Sequence, residues 1–159
     1  MDRTIKNQWN WNRERILLTG GSSGLGEELA KRAHALGARC AIIGRDNKRL
    51  QQIADSLNAK NAAEAAISPF VFDLSQVHDI PSLYENIVAC WDGKHPTLLI
   101  NNAGFNAAGF VANTPIEVYE TNYKVNALSA IALIQCALPS MTKHNHGGVV
   151  TIVSAAMYH

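Results

Sequence analysis

Cysteine is scarce in this chain, with three in 159 residues. Cys40, Cys90 and Cys136 stand far apart and odd in number. That spacing excludes a disulfide framework and a CxxC metal pair, and it points to a reducing compartment, read here as the cytoplasm. An excess of one charge is missing as well. The formal net charge is +1, which leaves neither nucleic acid nor an anionic membrane as a bulk partner. The few cations near the start, Arg3, Lys6, Arg13 and Arg15, are interleaved with Asp2 and Glu14 and read as solvated surface. The opening MDRTIKNQWNWNRER has no apolar core, so it is not a secretory signal. Long hydrophobic runs are lacking too. The most apolar stretch, Ala127–Leu138 (ALSAIALIQCAL), is too short for a bilayer and is interrupted by Ser129 and Gln135. It reads as a buried helix, so no membrane segment is expected. There is no internal repeat.

What remains is a composition of 47% hydrophobic and 17% charged residues, suited to one soluble globular domain with a sizeable core. Apolar strand patterns and helical patterns alternate. Strands are expected at Ile16–Thr19, Cys40–Ile43, Pro69–Asp73, Leu98–Ile100 and Val149–Val153. Between them, helices are expected from Gly24, with Leu25, Leu29, Ala33 and Leu36 on one stripe and Gly37 as the stop. A second follows Asp46, a third runs over Ser75–Cys90, and a long one spans roughly Pro115–Met141 with a bend or break. This order implies βαβ units and a parallel sheet, an α/β fold over residues 16–159 behind a leader of 1–15. Such a sheet places its ligand at the C-terminal ends of its strands. TGGSSGLG, Arg45, Asp73, NNAG and Ser154 all fall at those ends.

The stretch TGGSSGLG has glycines at 20, 24 and 26, a G-x-x-x-G-x-G spacing rather than the common G-x-G-x-x-G. Between a strand and a helix, such a loop turns free N–H groups and the helix dipole toward a phosphate. Gly20 permits the turn, Gly24 and Gly26 allow close approach, and Ser22 and Ser23 offer hydroxyls. After the second strand comes IIGRD. A carboxylate at that place holds the 2′-hydroxyl of NAD, whereas an arginine such as Arg45 suits the 2′-phosphate of NADP. Asp46 reads as a helix cap.

With TGGSSGLG, IIGRD, FVFDL, NNAG, YKVNAL and VVTIVS in that order, the chain resembles the short-chain dehydrogenase/reductase family from about Ile16 to Ser154. The resemblance implies a Rossmann-type doubly wound parallel sheet of five strands, order 3-2-1-4-5, helices on both faces, incomplete on the C-terminal side. It implies NADP(H), preferred over NAD(H), as cofactor. Thr19, Gly20, Ser22, Ser23, Gly24, Leu25 and Gly26 would form the pyrophosphate loop. Arg45 would meet the 2′-phosphate, and Asp73 with Leu74 would lie against the adenine. Asn101, Asn102, Ala103 and Gly104 would line the ribose side. Asn126 and Ser154 would be the catalytic members present, Ser154 orienting a small-molecule carbonyl or alcohol and Asn126 holding a relay water. The chemistry implied is hydride transfer between nicotinamide and that substrate, with a tyrosine moving the proton.

That tyrosine, paired with a lysine four residues on, is absent. Four places after Tyr84, Tyr119 and Tyr123 stand Val88, Tyr123 and Ala127, and Tyr158 has no residue at that offset. The expectation is therefore a truncated chain, inactive alone and poorly soluble, with an open sheet edge and an uncovered helix. The parent is expected to pair with a second copy through Ala127–Leu138. The alternative reading is a dinucleotide-binding module without catalysis. Other features read as structural. His144 and His146 lack a third metal ligand, Cys40 is a core residue, and Trp9 and Trp11 cover the base of the first strand. Ser154 has no G-x-S-x-G elbow around it.

Overall fold

The computed structural model describes residues 9–59, 65–106 and 109–153. A five-stranded parallel sheet carries the chain in the order β3-β2-β1-β4-β5. The strands are β1 (Arg15–Thr19), β2 (Arg39–Gly44), β3 (Ile67–Val71), β4 (Leu98–Asn101) and β5 (Gly148–Thr151). The helices are α1 (Gly24–Ala35), α2 (Asn47–Asn58), α3 (Ile80–Cys90), α4 (Ile116–Tyr123) and α5 (Ser129–His144). This is the expected Rossmann-type α/β fold.

Both faces are covered, and β1 shows why in its alternation. Ile16 and Leu18 join one core with Ala30, Ala33, Leu50 and Ala54 from α1 and α2. Leu17 joins the other, with Leu83, Ile87, Leu133 and Ala137 from α3 and α5. Successive side chains of a strand point to opposite faces, so a continuous apolar run is what a doubly covered sheet requires. Pro69 lies inside β3, where its missing N–H is harmless because β3 is an edge strand.

Several local expectations shift. The stripe of α1 is not Leu25–Leu36, whose end members are 53% and 48% exposed; its buried face is Gly26, Ala30, Ala33 and His34. Small residues face the sheet because the glycine loop draws the helix start close to it. The third helical segment is a 3-10 turn, Val77–Asp79, followed by α3, and Cys90 is exposed rather than aligned inward. The break in the long helix is a π-helical turn, Lys124–Leu128, between α4 and α5. The stretch Ala127–Leu138 is only half buried: Ser129, Leu133 and Ala137 face inward, while Ile131 and Leu138 are about half exposed. The whole helical run, Ile116–His144, is 29 residues and passes a length-and-composition test for a membrane span, a weak indication that leaves the expectation of no such segment standing. In this fold that run lays an inward stripe from α5 against β4 and α3, while only 22% of its most apolar window is buried.

Candidate functional site

A cavity of about 470 Å³ opens at the C-terminal ends of the strands. Its floor is the turn between β1 and α1. Gly20 takes φ +69° and Gly24 φ +55°, left-handed conformations that favour glycine. A Cβ on Gly26 would overlap the carbonyl oxygen of Gly20, and one on Gly20 would lie 2.9 Å from the Ala103 Cα. At Gly24 a Cβ would meet open space, so its conformation rather than crowding calls for glycine. Helix α1 begins after Ser23 with no side-chain cap, so its first N–H groups are unclaimed by side chains.

The turn is locked to the end of β4. The Thr19 hydroxyl accepts from the backbone N–H groups of Asn102 and Ala103, both at 3.0 Å. In return the Asn102 amide donates to the carbonyls of Thr19 (3.0 Å) and Gly20 (3.3 Å). Thr19 and Asn102 thus spend their side chains on shape. Gly20, Ser22, Ser23 and Leu25 line the cavity from this side, and Asn102, Ala103 and Gly104 from the other. Thr19 and Asn101 are buried behind it, and neither they nor Gly24, Gly26 and Asn126 form its wall. Among the described residues, the Asn101 side-chain amide is buried with no partner.

Arg45 leaves the end of β2 exposed, lines the cavity and has no carboxylate partner among the described residues. Asp46 is the cap of α2, accepting from Arg49 N–H at 3.0 Å, and so is turned to the helix. Gly44 sits under Ser22: a Cβ there would approach the Ser22 hydroxyl to 3.2 Å. On the far wall Asp73 uses one carboxylate oxygen to accept from Ser75 N–H at 2.9 Å, and Leu74 is mostly buried in the core.

Asn126 lies in the π turn, one step behind the cavity. Its Oδ1 accepts from Phe105 N–H (2.7 Å) and its Nδ2 donates to the Phe105 carbonyl (2.8 Å). Asn122 donates to that same carbonyl at 2.7 Å. The side chain of Asn126 therefore clamps the backbone just past NNAG. Ser154 lies outside the described residues, as does Tyr158. Tyr84 sits at the other end of the sheet, bonded to His95 Nδ1 at 3.0 Å, with burial pushing its phenol up.

Sequence reasoning missed Gly21, whose Cβ would lie 2.7 Å from Ile42 Cβ, and the lining residues Phe72, Phe105, Thr121 and Val125. Phe72 could have been read from FVFDL, next to Asp73. Thr121 and Val125 arrive only through the packing of α4 and the π turn, which no local pattern announces.

A doubly wound parallel sheet with a glycine-floored cavity at its switch point is a Rossmann-type protein. The family model described as short chain dehydrogenase matches residues 14–158, and the chain belongs to that family. Dehydrogenase/reductase SDR family member 7B of Mus musculus is 33% identical over 141 residues, covering 87% of this chain and 43% of that protein. Its counterpart from Danio rerio is 35% identical over 142 residues, covering 87% and 45%. The chain thus spans less than half the length of these curated relatives. Among solved structures, a metagenomic short-chain oxidoreductase in complex with NADP superposes with TM-score 0.83 at 23% identity, over 93% of this chain and 64% of that one. A short-chain dehydrogenase from Sphingobium yanoikuyae in complex with NADPH does so with TM-score 0.81 at 25% identity, over 91% and 55%.

Proposed function

We propose that this chain is the cofactor-holding part of an NADP(H)-dependent oxidoreductase acting between a carbonyl and a secondary alcohol. The observation that carries this reading is Arg45, a guanidinium with no carboxylate partner among the described residues, at the rim of a cavity floored by Gly20, Ser22 and Ser23. A guanidinium there matches a 2′-phosphate in two parallel hydrogen bonds. Gly44 supplies no carboxylate for a bare ribose, and the Ser22 hydroxyl stands close over it. The NADP and NADPH bound in the two solved relatives support the same choice.

The cavity suits such a ligand, because the crowding at Gly20 and Gly26 keeps side chains off the floor while the start of α1 offers N–H groups. When bound, the dinucleotide supplies the hydride. The chain's own residues bind and orient it. The loop residues Ser22, Ser23, Gly24 and Leu25 hold the pyrophosphate, Asp73 with Leu74 flanks the adenine, and Asn102, Ala103 and Gly104 shape the ribose wall. Asn126 acts as a positioning residue by fixing Phe105, and it is also assigned the holding of a relay water. Ser154 is assigned the role of orienting the substrate oxygen.

The chain holds no Tyr-x-x-x-Lys pair, so by itself it is expected to bind cofactor without turnover. A dinucleotide-binding module with no catalysis is the alternative reading, and a Tyr-x-x-x-Lys pair about a dozen residues past Ser154 in a longer chain would decide against it. Free cysteines at 40, 90 and 136 support a reducing compartment, the cytoplasm, as its place. The half-exposed outer face of α5 supports pairing of the parent with a second copy there. Hydrogen exchange of the whole chain with NADPH tests the main reading. Protection should concentrate in residues 19–26, 44–46 and 101–105. Uniform exchange with and without NADPH would sink it.

A further inference from the structure

We propose that the opposite end of the sheet carries a second, anionic-ligand site that binds a phosphate group between Arg15 and Arg39. Those two residues open β1 and β2 and are register partners in the parallel pair. Adjacent strands lie about 4.8 Å apart, so the two cationic side chains leave the sheet side by side. Like charges directly opposite one another destabilise a sheet unless something bridges them.

Among the described residues no ion pair joins either arginine, although the nearby Glu14 carboxylate acts on Arg15 more strongly than Arg39 does. The ion pairs there are Lys31–Glu27, Arg32–Glu28, Arg49–Glu27 and His146–Glu14, and none involves this end's arginines. Arg15 and Arg39 instead line a cavity of about 640 Å³ together with Arg13, Lys94, Asn10 and Asn12. Glu14 is the one carboxylate in its wall, is only 3% exposed, and keeps both oxygens within 3.2 Å of His146 Nε2. Arg15 gives Nε to the His95 carbonyl at 2.7 Å and Nη1 to that of Arg13 at 3.2 Å, which leaves Nη2 without a protein partner there. Burial pulls its guanidinium below the ordinary arginine range; Glu14 opposes this and Arg39 adds to it.

Four cations, two amide side chains and one carboxylate already committed to a histidine suit a doubly charged tetrahedral oxyanion. The cavity shares no lining residue with the one at the strands' other ends, so the two can be filled independently. The phosphate could belong to a soluble ester or to a lipid headgroup, and both present the same chemistry.

Thermal unfolding of the full chain with inorganic pyrophosphate, and flotation with phosphatidylcholine vesicles containing phosphatidic acid, separate those sources. Arg39→Gln and Arg45→Ala are compared with the unaltered chain. Arg39→Gln should raise Tm without any anion, by relieving the Arg15–Arg39 repulsion. It should also weaken the response to whichever probe binds by about tenfold or more, the loss of a charge-assisted contact. Arg45→Ala should keep that response, since it alters only the other cavity. Binding of pyrophosphate that Arg39→Gln weakens assigns a soluble ester, and binding of vesicles alone that it weakens assigns a headgroup. A response that survives unchanged in Arg39→Gln, or no response to either probe, overturns the proposal.

Discussion

Thr19 and Asn102 close four hydrogen bonds between the end of β1 and the end of β4, and that lock decides where the cavity floor lies. Replacing Asn102 by Ala leaves the carbonyls of Thr19 and Gly20 unanswered. A loss of about 1–3 kcal/mol in denaturant unfolding is expected. Gly26→Ala is expected to lower stability by about 1–3 kcal/mol or more, because its methyl must displace backbone rather than a flexible side chain. If either variant unfolds like the unaltered chain, the lock is not what shapes the floor. The thiols give a separate check. Cys40 is fully buried and its thiol is pushed up to about 12, so it should stay unlabelled by a thiol reagent at pH 8 until the protein unfolds. Cys90, exposed on α3, should label in the folded state. At this scale the sequence was informative wherever chemistry and backbone need coincide: the three loop glycines, Asp46 as a cap and Arg45 at a strand end. It was silent on Gly21, which serves only the packing against Ile42.

At the scale of elements, the strands were readable because a doubly covered sheet needs unbroken apolar runs, and β1 and β2 have them. Helix faces were less so. A leucine stripe on α1 looked decisive, yet Leu25 and Leu36 face solvent, and alanines meet the sheet because a close approach leaves no room for larger residues. The π turn was anticipated only as a break. Its cause is tertiary: Asn126 and Asn122 both bind Phe105 backbone, which holds the helix off its regular winding. Asn126→Ala should therefore lower the protection of Phe105 N–H in hydrogen exchange while leaving β1 and β2 amides unchanged. Unaltered protection at Phe105 would show that the clamp does not hold this segment.

At the scale of the whole molecule, the sheet is paired through its centre and, among the described residues, unpaired beyond β5. Its cavity is bounded by β1, β2 and β4, strands with neighbours on both sides, while β5 is an edge with Val149, Val150 and Ile152 between 37% and 43% exposed. An unpaired apolar edge templates self-association, so the chain should run as large species in size-exclusion chromatography, and Val150→Lys should shift it toward monomer. An unaltered elution profile would argue that the edge is not the contact. Topology and cofactor loop were both legible because they repeat local rules; substrate chemistry was not, because Ser154 lies beyond the described residues and the chain holds no Tyr-x-x-x-Lys pair. The central claim is that the cavity at the strand ends is an NADP(H) site set by Arg45. Fluorescence titration of the chain with NADPH and with NADH tests it most directly. NADPH should bind more tightly by about 1–3 kcal/mol, a difference that Arg45→Asp erases or reverses. Equal affinity for the two, or a preference untouched by Arg45→Asp, would contradict it.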